Sequence, residues 1–120
     1  MSEDFGEYVR QRREALQKED ELGSFSLRRV AARIDVEPSY LSKVERGDQS
    51  PPSEETVKKL AAVLGEDPDV LLALAGKVSG ELLKIIRTRP KLFADLLREI
   101  KDMPDHAVLR LVREVRDGNW

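Results

Sequence analysis

The chain has 120 residues and no cysteine, which excludes disulfides and cysteine-ligated metals. Charged residues make up 37%, apolar residues 40% and aromatic residues 5%, the balance of a helical protein with an aliphatic core. The net charge of −2 gives no general affinity for polyanions, no run of ~18 apolar residues could span a bilayer, and Met-Ser-Glu-Asp-Phe lacks the basic-then-apolar order of a signal sequence, so a cytoplasmic location without a membrane partner is expected.

Residues 1–4 read as a frayed end. The first helix is predicted from Phe5 to about Gln17, with Phe5, Tyr8, Val9 and Leu16 inward and Arg10, Arg12 and Arg13 forming a basic stretch. Lys18 to Ser24 is a charged loop ending in Gly23-Ser24. Ser26 can cap a second helix, along which Leu27, Val30, Ala31 and Ile34 recur at i, i+3, i+4 and i+7. Asp35 follows, and Asp tolerates positive φ at modest cost. Pro38 suits the first turn of a third helix, Val36 and Leu41 fall at the two positions of a hydrophobic staple, and Gly47 ends the helix.

At ~100° per residue this third helix has two unlike faces. Lys43 and Arg46 flank Ser39, with Ser42 beside Arg46, whereas Leu41 and Val44 point the opposite way. Glu45 falls on the apolar side, where a carboxylate is costly unless a cation reaches it.

Asp48 to Pro52 is a loop by composition. Ser53 caps a fourth helix whose inner stripe is Val57, Leu60, Ala61 and Leu64, with Glu54 and Glu55 at its positive end and Gly65 as its stop. Asp67-Pro68 opens a fifth, with Val70, Leu71 and Leu74 expected inward and Gly76 as the stop. Residues 1–76 form the first expected domain and residues 77–120 a helical tail. In the tail, Leu82, Leu83, Ile85 and Ile86 fill one helix; Pro90 starts the next, with Phe93, Leu96, Leu97 and Ile100 at i, i+3, i+4 and i+7. After Pro104, Val108, Leu111, Val112 and Val115 repeat that spacing, with Leu109 adjacent. Three such helices are too few for a core of their own. A second copy of the chain is the first expectation for what covers Phe93, Leu96, Leu97, Ile100, Val108, Leu111, Val112 and Val115; the chain's own first domain and a different protein are the alternatives.

The words Ser-Leu-Arg-Arg-Val-Ala and Pro-Ser-Tyr-Leu-Ser-Lys-Val-Glu-Arg-Gly, within Phe25 to Gly47, resemble the phage-repressor type of helix-turn-helix, the Cro or lambda-repressor-like fold also called XRE-like. The resemblance covers about Phe5 to Ala75. It implies five short helices around an aliphatic core, in an all-α protein, with the third helix reading DNA. It also implies that Arg13 pairs with Glu45, a partly buried bridge fixing the first helix against the third; the plainer reading leaves Arg13 on the surface. Two positions depart from the pattern: Asp35 stands where the turn usually has Gly, and Glu37 where the cap is usually Ser or Thr. The loop from Lys18 to Ser24 is longer than the usual link.

A helix of this kind presents side chains near its start to base edges in the major groove. Ser39 and Lys43 are the base-edge candidates. Tyr40 flanks them within reach of a thymine methyl or a phosphate. Glu37 either accepts from a cytosine amine or serves as a cap. Arg46, Ser42, Ser26 and Arg28 are candidates for phosphate contacts, which position without specifying sequence; the plainer reading of Lys43 and Arg46 is a solvated face. Residues 1–76 carry 11 Lys/Arg against 16 Asp/Glu, yet residues 26–46 carry five against three, a local basic balance in an acidic domain. Modest, salt-sensitive affinity per monomer follows.

The expected function is a sequence-specific DNA-binding transcriptional regulator, a repressor, acting as a homodimer on double-stranded DNA at a near-palindromic operator, in a bacterial or phage-type cytosol close to the nucleoid. An antitoxin-like regulator whose tail binds another protein, and a protein-interaction module without DNA binding, are the alternatives. No enzyme is expected. His106 is the only histidine, so no Ser/His/Asp set can be assembled, and no Gly-rich phosphate loop or metal-loop spacing occurs. No cofactor, metal or catalytic residue is assigned, and Trp120 reads as a packing tail.

Overall fold

The structure, a computed structural model, describes residues 4–118, which places Trp120 outside the described residues. Eight helices and no strand are found among them: α1 (Phe5–Glu19), α2 (Leu27–Arg33), α3 (Pro38–Glu45), α4 (Glu54–Leu64), α5 (Pro68–Leu74), α6 (Gly80–Thr88), α7 (Pro90–Ile100) and α8 (Asp105–Arg116). The chain divides into two compact units, with the boundary after Ser79.

In the first unit α3 packs on α1 and α2, and α4 packs on α5, α2 and α1. The stripes converge on one core of Phe5, Val9, Val30, Ala31, Ile34, Leu41, Val44, Val57, Leu60, Ala61, Leu64, Leu71 and Leu72, each nearly or fully removed from solvent. Burying a large aliphatic side chain contributes about 1.5–3 kcal/mol, so this cluster dominates the unit's stability. The fifth helix is rotated relative to its expected setting. Leu71 and Leu72 are buried, Leu74 packs against the core as expected with Ala75 beside it, and Val70 is 51% exposed. Apolar residues at 70, 71, 72 and 74 surround so short a helix, and the docking of α4, not periodicity, chooses among them.

Helix ends are set by local chemistry. Asp4 is not frayed: its carboxylate accepts from the Gly6 N–H at 3.0 Å and caps α1. Residues 1–3 lie outside the described residues. Ser26, Ser53 and Asp67 cap α2, α4 and α5 in the same way. Four helices stop in one motif, a residue of positive φ followed by a six-to-one backbone bond. Val36 N–H reaches Ala31 C=O at 3.0 Å, Asp48 reaches Lys43 at 2.9 Å, Glu66 reaches Ala61 at 2.9 Å and Lys77 reaches Leu72 at 2.9 Å. The positive-φ residues are Asp35, Gly47, Gly65 and Gly76; Asp35 is the non-glycine among them, at φ 60°.

α1 extends two residues past its predicted end, so Lys18 and Glu19 are helical and the loop is shorter than expected. Asp20 then organises the turn. Its carboxylate accepts from the N–H groups of Leu22 and Ser24, each at 3.0 Å, and Phe25 N–H donates to Gln17 Oε1 at 3.1 Å. These bonds to its charged form hold the Asp20 carboxyl below its ordinary pKa.

Among its described residues the second unit buries no side chain. Each helix carries apolar residues on more than one face. Leu83, Ile86, Phe93, Ile100, Val108 and Leu111 are half-buried, whereas Leu82, Ile85, Leu92, Leu96, Leu97, Leu109, Val112 and Val115 are exposed. No helix among the described residues is long and apolar enough to cross a membrane.

Candidate nucleic-acid interface

α3 is held from three sides. Leu41 and Val44 drop into the core, and Val36 packs at the core's edge before the helix begins. Gly6 lets α1 approach the C-terminal end of α3 closely: a Cβ at Gly6 would overlap the Val44 carbonyl oxygen and crowd that of Glu45. Glu45, on the inner face, meets Arg13 in a two-pronged ion pair. Arg13 Nε donates to Oε2 at 2.7 Å and Nη2 donates to Oε1 at 2.9 Å, and Nη1 donates to the Phe25 carbonyl at 3.1 Å. The two side chains are 10% and 4% exposed. Fork-on-fork geometry satisfies both carboxylate oxygens and is the arrangement in which a buried charge pair is tolerated. The hydrogen bonds to Glu45 raise the Arg13 pKa against the opposing effect of burial, so the guanidinium is charged at any physiological pH.

With that side fixed, the other side of α3 is committed to face outward from the unit. Ser39, Lys43 and Arg46 are exposed, and Ser42 and Tyr40 are half-buried, Tyr40 packing against the core's edge. Lys43 has no ion pair among the described residues. Arg46 Nε lies 3.5 Å from Asp48 Oδ2, with both side chains more than half exposed, a contact of small energetic weight. Glu37 occupies the N-cap position, but its side chain makes no capping bond. The capping reading of Glu37 is therefore set aside: its carboxylate is exposed beside the helix start. Ser26 differs, since its hydroxyl already accepts from Arg29 N–H at 3.2 Å as the cap of α2. Arg28 and Arg29 are exposed at the first turn of α2 without an ion pair among the described residues, and the Arg33 guanidinium stands 5.6 Å from the centroid of the Phe25 ring.

The structure thus brings together Arg13 with Glu45, and it collects Glu37, Ser39, Tyr40, Ser42, Lys43 and Arg46 along one short helix. Two contributors went unread in the sequence. Gly6 had a signal, because a glycine early in a helix with ordinary φ is costlier than alanine unless a neighbour comes close. Asp20 had one too, in the Asp-x-x-Gly-Ser pattern of a side-chain-closed turn. No group of at least three His, Cys, Asp or Glu side chains that could hold a metal ion occurs among the described residues.

A search of curated proteins and a search of solved structures give no match. The model of a family described as a helix-turn-helix domain matches residues 4–74, over half of the chain and nearly all of the first unit. The chain therefore belongs to the helix-turn-helix domain family, whose fold points to a DNA-binding regulator.

Proposed function

We propose that the protein is a sequence-specific transcriptional repressor of the phage-repressor, XRE-like kind, and that it binds a near-palindromic operator as a homodimer. α3 is the recognition helix. The observation that supports this most is the fixing of its inner side: a buried Arg13–Glu45 fork, Leu41, Val44 and the glycine contact hold the helix rigidly, and its polar, basic ridge is left for a groove. A recognition helix needs that rigidity, since a base contact misplaced by an ångström loses its hydrogen-bond geometry.

In this reading Ser39 and Lys43 contact base edges, Tyr40 touches a thymine methyl or a phosphate, and Glu37 accepts from a cytosine amine. Arg46, Ser42, Ser26 and Arg28 lie against phosphates; Ser26 does so while remaining the cap of α2. Two copies place their α3 helices about 34 Å apart on successive major grooves. The residues after Ser79 supply the dimer contact. The protein has no catalytic role and works in the cytosol on chromosomal or phage DNA.

Selection of bound fragments from random double-stranded DNA with the purified protein tests this. The expected product is an inverted repeat whose half-sites lie about one helical turn apart. Recovery of fragments without a shared motif, at low salt as well as moderate salt, overturns the reading.

A further inference from the structure

The second unit leaves apolar surface that its own fold does not use. α6 packs on α7, whereas α8 makes no comparable contact with either. Leu92 on α7 is 67% exposed and Leu109 on α8 is 52% exposed. At ~100° per residue, Leu92, Leu96 and Glu99 fall within one narrow arc of α7. On α8, Leu109 and Val112 share an arc with Arg113 and Arg116 by the same count. The α7 stripe is thus bordered by an acid, and the α8 stripe has Asp105 at its start and two arginines at its C-terminal end. None of Glu99, Arg113 and Arg116 has an ion pair among the described residues, whereas Asp95 on the same helix is engaged with Arg98 at 3.1 Å.

We propose that two copies of the chain join through a twofold seam in which α7 of one lies along α8 of the other, Leu92 and Leu96 against Leu109 and Val112, with Glu99 beside Arg113 and Arg116. The seam rests on the homodimer reading above and specifies it. A second copy is the fitting occupant because Glu99 on one stripe is opposite in charge to the Arg113/Arg116 end of the other, and both stripes are carried by every chain. Twofold symmetry then forms each contact twice. The unit is also near the size below which association normally supplies the missing core.

The test is a pair of full-length charge-reversal variants measured by analytical ultracentrifugation without DNA. Arg113→Glu/Arg116→Glu makes both stripes acidic, and Glu99→Arg makes both basic. Each variant alone should dissociate at least about tenfold more readily than wild type, because like charges then meet across both contacts. Mixing the two should restore association as heterodimers, since acidic then meets basic at both contacts. Far-UV circular dichroism controls for folding, and these exposed positions leave helicity unchanged. A wild-type dimer whose variants are not rescued by mixing overturns the seam and spares the homodimer. A wild-type chain that stays monomeric at every concentration reached overturns both.

Discussion

Replacing Arg13 by Met probes the joint on which the placement of α3 depends. The substitution keeps most of the apolar stem and removes the charged fork. It strands the Glu45 carboxylate, whose side chain is 4% exposed, and leaves the Phe25 carbonyl without its 3.1 Å donor. An exposed ion pair would be worth about 0–1 kcal/mol, but removing one partner of a buried pair costs about 3–5 kcal/mol. The whole of a unit this size is stable by roughly 4–12 kcal/mol, at 0.05–0.15 kcal/mol per residue. Arg13→Met should therefore remove about a quarter or more of the stability, read as a lowered urea midpoint by far-UV circular dichroism with an unchanged slope. The double variant Arg13→Met/Glu45→Met should return to within about 1 kcal/mol of wild type or exceed it, because paired apolar side chains often replace a buried ion pair without loss. The coupling energy from the cycle should exceed about 2 kcal/mol. A single variant that loses under about 1 kcal/mol, or a double variant that loses the sum of both singles, refutes the reasoning.

Gly6→Ala should destabilise the protein by about 1–3 kcal/mol in thermal melts, reversing the usual gain of Ala over Gly in a helix, because the new methyl meets the Val44 carbonyl. Asp35→Gly should shift stability by less than about 1 kcal/mol, whereas Asp35→Val should cost about 1–2 kcal/mol, since only the latter is strained at φ 60°. Asp20 gives a pH dependence of known sign. Its folded pKa is depressed, so its contribution is fully present above the unfolded value of about 3.9 and is lost as pH falls through the folded value. Asp20→Asn should melt below wild type at neutral pH, and the two curves should converge towards pH 2; a gap that is constant down to that pH excludes the ionised Asp20 turn.

Much of the first unit was legible because its stripes are regular. Val30, Ala31 and Ile34, or Val57, Leu60, Ala61 and Leu64, repeat the helical period without a competing face. α5 was misread for the opposite reason: four of its seven residues are large and apolar, and Leu72 rather than Val70 is inward because of where α4 lies. Glu45 was visible as an anomaly, a carboxylate on an apolar face, but its partner 32 residues away was reached only through family resemblance. Gly6 and Asp20 act through geometry that spacing does not encode, a close backbone approach in one case and a folded-back side chain in the other. In the tail, periodicity found one stripe per helix. The structure distributes the apolar residues over half-buried and exposed faces, and it adds Leu92 to the surface that awaits cover.

The claim that the ridge of α3 reads DNA is tested most directly by titrating a selected operator, and a one-base-pair variant of it, at several salt concentrations with wild type, Lys43→Ala and Arg46→Ala. Lys43→Ala should lower discrimination between the two sites by about 1–3 kcal/mol, as expected for a lost base contact. Arg46→Ala should weaken both sites alike and reduce the salt slope by about one unit, as expected for a lost phosphate contact. If the two variants lose the same affinity on every sequence, with the same change in salt slope, α3 is not reading bases through Lys43 and the account is contradicted.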